Sequence, residues 1–400
     1  MRMVKGGVTA PKGFLASSAA CGIKKSGSDD LALLVSVKPC LCAGTFTTNR
    51  FKSGSVVLTK DRMKKGIAQA AVINSGNANA CLGKKEITDA RSITASVAKK
   101  LNLNKDLVLI ASTGIIGKVL PIDKIQRKVG SLTRSLKKTN SAKFSKAIMT
   151  TDIVHKEIAV TLKIGGKDVV IAGAVKGSGM ICPDMATMLA FFTTDAVIDK
   201  STLRTAFKEC VEDSFNKITV DGDMSTNDTA IIFANSLAGN RIIKKNSLGY
   251  NKFLNGLRFV AKDLAKKIVL DGEGATKFVE IIVKGAKDFN TANRVARHVA
   301  DSSLVKTMIA GGDPNWGRVA GSIGAAGVDI NKDKVKVYFG KRLVLKNGSG
   351  IGASRKILTG IFRKKEIEIL IDLNSGKASQ TIWTCDLTED YVTINSEYEI

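Results

Sequence analysis

The residues best placed to do chemistry stand in one string, Lys176-Gly177-Ser178-Gly179-Met180-Ile181-Cys182-Pro183-Asp184-Met185-Ala186-Thr187-Met188-Leu189-Ala190-Phe191-Phe192-Thr193-Thr194-Asp195. A glycine loop containing one proline runs into an apolar stretch, 188–192, that reads as a buried strand, with Thr187 at the junction. A small hydroxyl is thereby fixed where a loop becomes a rigid element. Threonine is a weak nucleophile until a base sits beside it, and one chemical solution takes that base from the residue's own α-amine. An α-amine titrates near about 7.7–8.0, so a useful fraction is unprotonated at neutral pH. That solution requires the Ala186–Thr187 bond to break first. A threonine opening a strand is also an ordinary β-branched residue in an ordinary place, so residue type alone does not select it.

Other polar strings offer parts of a site. Ser112-Thr113-Gly114 ends an apolar run, and a Thr-Gly pair there can supply a hydroxyl and an unobstructed N–H, the components of an oxyanion hole, or can simply turn. Asn74-Ser75-Gly76-Asn77-Ala78-Asn79-Ala80 is dense in amides, which can face a polar ligand or close a loop. Thr150-Thr151-Asp152 precedes two strand-like runs. Asp221-Gly222-Asp223 lacks the carboxylate spacing of a calcium loop and reads as a polar wall or a satisfied turn. Glu273, between two glycines, can meet a substrate ammonium or cap a turn. Gly348-Ser349-Gly350-Ile351-Gly352 is too short a pattern to mark a nucleotide site.

The elements that must position these groups follow from periodicity. Runs at 31–37, 56–59, 71–74, 107–110, 158–162, 169–172, 230–234, 278–283, 335–339, 366–373 and 391–394 read as strands. Helical spacing marks 87–101, 122–136, a segment near 203–215 capped by Asp199 or Ser201, 253–268 and 291–306, whereas 312–318 reads as a turn. Mixed helix and strand over 400 residues, 44% of them hydrophobic, gives an α/β protein of more than one subdomain.

Composition excludes several classes. No apolar run reaches the roughly 18 residues that cross a bilayer, and the N-terminal stretch never builds a signal-type apolar core, so a cytoplasmic protein without a membrane partner is expected. Seven cysteines without Cys-x-x-Cys spacing and two distant histidines, His155 and His298, argue against a disulfide framework and a zinc site. The net charge of +26 raises the question of nucleic acid. The lysine pairs are scattered, however, without aromatic interleaving, and a solvated basic surface accounts for them.

Taken together and in order, the strings resemble the ornithine acetyltransferase family, self-cleaving enzymes that make arginine precursors. The resemblance spans essentially the whole chain. It rests on 6–13, Thr47-Thr48-Asn49-Arg50, 74–80, Ser112-Thr113-Gly114, 176–195, 214–229, Ser303-Leu304-Val305-Lys306-Thr307, 313–318 and Asn395. It implies a layered αββα sandwich with a smaller C-terminal α+β subdomain from about 277 to 400. It also implies cleavage at Ala186–Thr187 into an α chain, 1–186, and a β chain, 187–400, that stay associated as an α2β2 heterotetramer or larger.

The same resemblance makes Thr187 the nucleophile that carries acetyl from N-acetylornithine to glutamate, and Thr113 and Gly114 the oxyanion pair. Thr150, Lys176, Thr187, Glu273, Asn395 and Ile400 occupy the family's substrate-binding positions. No metal or cofactor is implied, although some relatives also accept acetyl-CoA as a donor substrate. Cys182, Asp184, Met224 and the terminal Ile400 depart from the usual family residues. The rival readings are a self-cleaving aminopeptidase or amidohydrolase of related fold, in which water takes the acyl group, and a basic nucleic-acid-binding protein.

Overall fold

The computed structural model describes residues 1–182 and 188–397. The chain divides into two units, Met1–Asn216 with Asp223–Ile268, and Lys217–Gly222 with the chain from Val269 onward.

The first unit holds strands β1 (Arg2–Met3), β2 (Phe14–Ala19), β3 (Leu31–Phe46), β4 (Ile67–Asn77), β5 (Val108–Ile115), β6 (Lys156–Ile164), β7 (Lys167–Lys176), β8 (Leu189–Thr194) and β9 (Thr229–Ala234). Its helices are α1 (Gly54–Arg62), α2 (Lys84–Leu101), α3 (Ile122–Arg134), α4 (Ser141–Ala147), α5 (Lys200–Glu212) and α6 (Leu248–Leu270). The strands run in the order β1-β6-β7-β8-β9-β3-β4-β5, with β2 on β3. β3 is the pivot: its first half pairs with β2, its second half pairs with β9, and it pairs with β4 on both sides of a register shift between Val35 and Cys40.

Side-chain alternation explains the layering. Ala32, Leu34, Ala71, Ile73, Leu109 and Ala111 from one half of the sheet share a core with Ala174, Leu189, Phe191, Ile231 and Phe233 from the other. The sheet is therefore folded onto itself. The alternate residues of the first half, Leu31, Leu33, Val72 and Ile110, face α2 and α3 through Ile93, Val97, Ile125 and Val129. On the far side, Phe192 of β8 meets Phe207 of α5 edge-on at 5.5 Å, and Gly173 of β7 lies under Leu264 of α6. Two helix layers thus cover two sheet layers, the αββα sandwich that the resemblance implies.

The second unit contains β10 (Phe278–Ala286), α7 (Phe289–Asp301), α8 (Ser303–Ala310), α9 (Trp316–Gly324), β11 (Lys336–Phe339), β12 (Arg342–Lys346), β13 (Ser349–Gly350), α10 (Arg355–Phe362), β14 (Glu366–Asp372), β15 (Ala378–Cys385) and α11 (Glu389–Ser396). Its sheet runs β13-β12-β11-β14-β10-β15 around one apolar core. No helix among the described residues is long and apolar enough to cross a membrane.

Several expectations are corrected. Residues 56–59 lie in α1, not a strand, because the Ser53 side chain accepts from the Val56 N–H and starts a helix. Residues 391–394 lie in α11, whose first turn carries Glu389 and Asp390 at the positive end of its dipole. The helix expected over 291–306 breaks at Ser302, which caps α8 through the Val305 N–H. Residues 312–318 already enter α9, capped by Asn315.

Candidate active site

Ala186, Thr187 and Ile400 lie outside the described residues, so the site is built from what flanks them. β5 does not stop at Ile110 but continues beside β4 through Ser112, Thr113 and Gly114. Gly114 pairs with Gly76, and a Cβ on Gly114 would fall 2.3 Å from the Gly76 carbonyl carbon. With φ at +129°, only glycine fits there.

The turn is held by buried amides. Asn79 Nδ2 donates to Ser55 Oγ at 3.4 Å, Ser55 and Ser112 hydroxyls lie 2.7 Å apart, and Ser112 donates to Asn74 Oδ1 at 2.6 Å. Asn227 Nδ2 donates to the carbonyls of Ala78 and Ser112 at 2.6 and 2.7 Å. The amide-dense loop at 74–80 is thus a bracket for the Thr113-Gly114 turn. Thr113 itself is 4% exposed, and its hydroxyl has no partner among the described residues.

Asn227 leads directly to Asp228, which is fully buried. Asp228 Oδ1 accepts from the Met188 N–H at 3.1 Å, and the Thr229 N–H donates to the Met188 carbonyl at 3.1 Å. Asp228 Oδ2 has no hydrogen-bond partner among the described residues. Burial pushes this carboxyl well above the ordinary carboxylate range, against the opposing pull of the Met188 N–H and Lys176. Two hydrogen bonds joined by the Asn227–Asp228 peptide bond therefore make one path from Ser112, neighbour of Thr113, to Met188, neighbour of Thr187.

The cationic side of the site comes from β7. Lys176, 3% exposed, ends that strand opposite Leu189 of β8, and its Nζ donates to Thr150 Oγ1 at 3.3 Å. The two segments are stitched again where Thr151 Oγ and Ser178 Oγ lie 2.7 Å apart, and where Gly177 N–H donates to Asp152 Oδ1 at 2.8 Å. Lys156 Nζ donates to the same Asp152 oxygen at 2.6 Å. Burial works to raise the Asp152 carboxyl, but Lys156, Lys176 and the Gly177 N–H outweigh it and hold the group below the ordinary range.

In the second unit, Asn395 of α11 donates to Glu273 Oε2 at 2.8 Å, and Glu273 is 7% exposed. The next residue, Gly274, has φ +67°, and a Cβ there would lie 2.6 Å from the Tyr391 nitrogen. The loop carrying Glu273 thus has its glycine against α11.

The first unit brings Thr150, Lys176, Thr113 and Gly114 into linked segments around the start of β8, and the second pairs Glu273 with Asn395. Asp152, Asn227 and Asp228 stand in strings singled out from the sequence, but their roles were missed. No local signal marks an aspartate as buried. Among the described residues, no group of three His, Cys, Asp or Glu side chains could hold a metal. The arrangement has the parts of an acyl-transfer site: a donor turn for a developing oxyanion, a buried cation and a pinned strand start.

A model of the ArgJ family matches residues 15–400. The chain is 45% identical over 402 residues to the "Arginine biosynthesis bifunctional protein ArgJ" of Caldanaerobacter subterraneus subsp. tengcongensis, with 100% of both chains covered. It is 45% identical over 388 residues to the protein of that name from Geobacter sulfurreducens, covering 97% of this chain and 99% of that one. Among solved structures, the arginine biosynthesis bifunctional protein argJ of Bacillus halodurans superposes with a TM-score of 0.50 at 39% identity, over 52% of this chain and 98% of that chain. By this likeness over its full length, the chain belongs to the ArgJ family.

Proposed function

We propose that this protein is a self-cleaving glutamate N-acetyltransferase that moves acetyl from N-acetylornithine to glutamate in arginine biosynthesis. The observation that carries the reading is the buried path Ser112–Asn227–Asp228–Met188, because it ties the Thr113-Gly114 turn to the residue that follows Thr187. Thr187 Oγ attacks the acetyl carbonyl carbon, its proton passing to the Thr187 α-amine. Thr113 Oγ and the Gly114 N–H stabilise the oxyanion. The amide C–N bond breaks, the α-amine returns the proton to the departing ornithine nitrogen, and acetyl remains as an ester on Thr187. The glutamate amine then attacks that ester, the C–O bond breaks, and Thr187 Oγ recovers a proton.

Lys176 and Thr150 suit the substrate α-carboxylate, and Glu273 with Asn395 suits the ornithine ammonium. No cofactor is needed for this exchange, and acetyl-CoA enters only as an alternative donor substrate. The names of the relatives, which call them bifunctional, support that second activity. An α2β2 assembly of the two cleaved chains and a cytoplasmic location complete the proposal.

Intact-mass spectrometry before and after N-acetylornithine tests it. Chains of 186 and 214 residues are expected, with about 42 Da added to the longer one. A single uncleaved, unacetylated mass would refute the proposal. Consumption of N-acetylornithine that glutamate does not accelerate would assign the chain to the hydrolases instead.

A further inference from the structure

Asp152 joins the two segments proposed above to hold the substrate carboxylate, yet no step of the reaction uses it. Its side chain is fully buried and accepts three hydrogen bonds: Lys156 Nζ at 2.6 Å and Gly177 N–H at 2.8 Å on Oδ1, and Thr150 N–H at 3.1 Å on Oδ2. The carboxylate therefore grips the backbone of Thr150 and the backbone that follows Lys176. The side chains of those two residues meet each other at 3.3 Å. The Thr151–Ser178 hydroxyl contact at 2.7 Å makes the stitching continuous over three successive residues on each side. Gly177, with φ at +152°, turns its N–H to this carboxylate immediately after β7 ends.

Lys24, Lys156 and Lys176 are 8%, 1% and 3% exposed, and all three act electrostatically on Asp152. The other buried carboxylate beside Lys24 is Asp30, whose oxygens accept the N–H groups of Cys21, Ile23 and Lys24. Burial drives the Lys24 ammonium down to about 8, against the opposing pull of Asp30 and Asp152.

We propose that Asp152 is a positioning residue for substrate carboxylate binding, fixing Thr150 and Lys176 in one preorganised cradle that serves both N-acetylornithine and glutamate. The inference rests on the acetyltransferase reading and deepens it. Both substrates carry an α-carboxylate, so a cradle for that group is shared by both half-reactions. A positioning residue acts before the chemistry, and its loss should raise KM while sparing kcat.

The test compares two variants that differ only at position 152, Lys156→Met and the double variant Asp152→Asn/Lys156→Met, using the full chain and both substrates. Lys156→Met keeps the carboxylate and sets the baseline KM against which the double variant is read. The double variant removes both charges of the buried pair together. It should cleave normally by intact mass, keep kcat within a few-fold, and raise both KM values by about tenfold to a hundredfold, the scale of a cradle displaced by an ångström. A double variant with unchanged KM values, or one that loses kcat alone, would make Asp152 a structural ion-pair partner and overturn the inference. If the double variant fails to fold by circular dichroism, Asp152→Glu decides. That variant keeps the charge but moves the carboxylate by one methylene, and an unchanged KM there overturns the inference equally. A parent enzyme that takes up no acetyl at all sinks the acetyltransferase reading, and the inference with it; this shows in the control before any variant is compared.

Discussion

Asp152 and Asp228 are both buried in the first unit, and their surroundings drive them to opposite protonation states. Asp152 accepts from a lysine and two backbone N–H groups and stays ionised. Asp228 accepts from one N–H, and burial raises its carboxyl well above the ordinary range. The signs of their linkage to folding follow. Asp152 contributes stability that is present above about 3.9, the unfolded value, and lost as pH falls. Asp228 costs stability as pH rises from about 3.9 toward its folded value, because the unfolded chain ionises freely there. Asp228→Asn keeps an acceptor for the Met188 N–H and removes that cost. The midpoint difference between variant and parent in thermal melts should therefore grow in the variant's favour as pH rises above about 3.9, by at most about 1.4 kcal/mol per pH unit. A variant that loses stability on the same climb would show that Asp228 is ionised in the fold. At the chemical end of the same path, Thr113→Val removes the hydroxyl offered to the oxyanion without changing shape. It should lower kcat by about 10²–10³, with Thr113→Ser retaining most activity; steady-state rates with saturating N-acetylornithine decide this.

At the scale of elements, what positions the site is the tight seat of β7 and β8 between the inner core and the outer helices. Gly173 of β7 pairs with Phe192 of β8, and a Cβ there would lie 2.7 Å from Leu264 Cδ1 and 3.1 Å from Phe192 Cε1. Gly173→Val should overpack this layer and cost about 1–3 kcal/mol, read as a fall in the unfolding midpoint. An unchanged midpoint would mean that α6 shifts freely over the sheet. Glycine at 173 lies one residue past the run 169–172 that reads as a strand, and its reason is a helix some ninety residues later in the chain. The same distinction separates what could be read early from what could not. α2 and α3 showed their faces through long periodic spacing, whereas 56–59 and 391–394 were too short to separate strand from helix. At the site, Thr113, Gly114 and Lys176 stood in recognisable strings. The charge states of Asp152 and Asp228 depend on burial by elements distant in sequence, which no string records.

At the scale of the whole molecule, the excess of 62 basic over 36 acidic residues needs a consequence if nucleic acid is not the partner. The substrates supply one. Glutamate carries two carboxylates and one ammonium, hence a net charge of −1, whereas N-acetylornithine balances one carboxylate against its side-chain ammonium. A field from a chain of net charge +26 raises the local concentration of the first and leaves the second nearly untouched. Salt shortens the reach of that field from about 30 Å at 0.01 M to about 8 Å at 0.15 M. Raising ionic strength across this range should therefore lower kcat/KM for glutamate, by up to about tenfold at the modest end of steering effects, while kcat/KM for N-acetylornithine stays nearly level. Measuring each with the other substrate saturating separates the two half-reactions. Equal salt dependence for both substrates would remove the global field from the argument and confine the electrostatics to the buried lysines around Asp152. A flat response for both would mean that the surface charge, scattered as it is, has no part in delivering the acceptor.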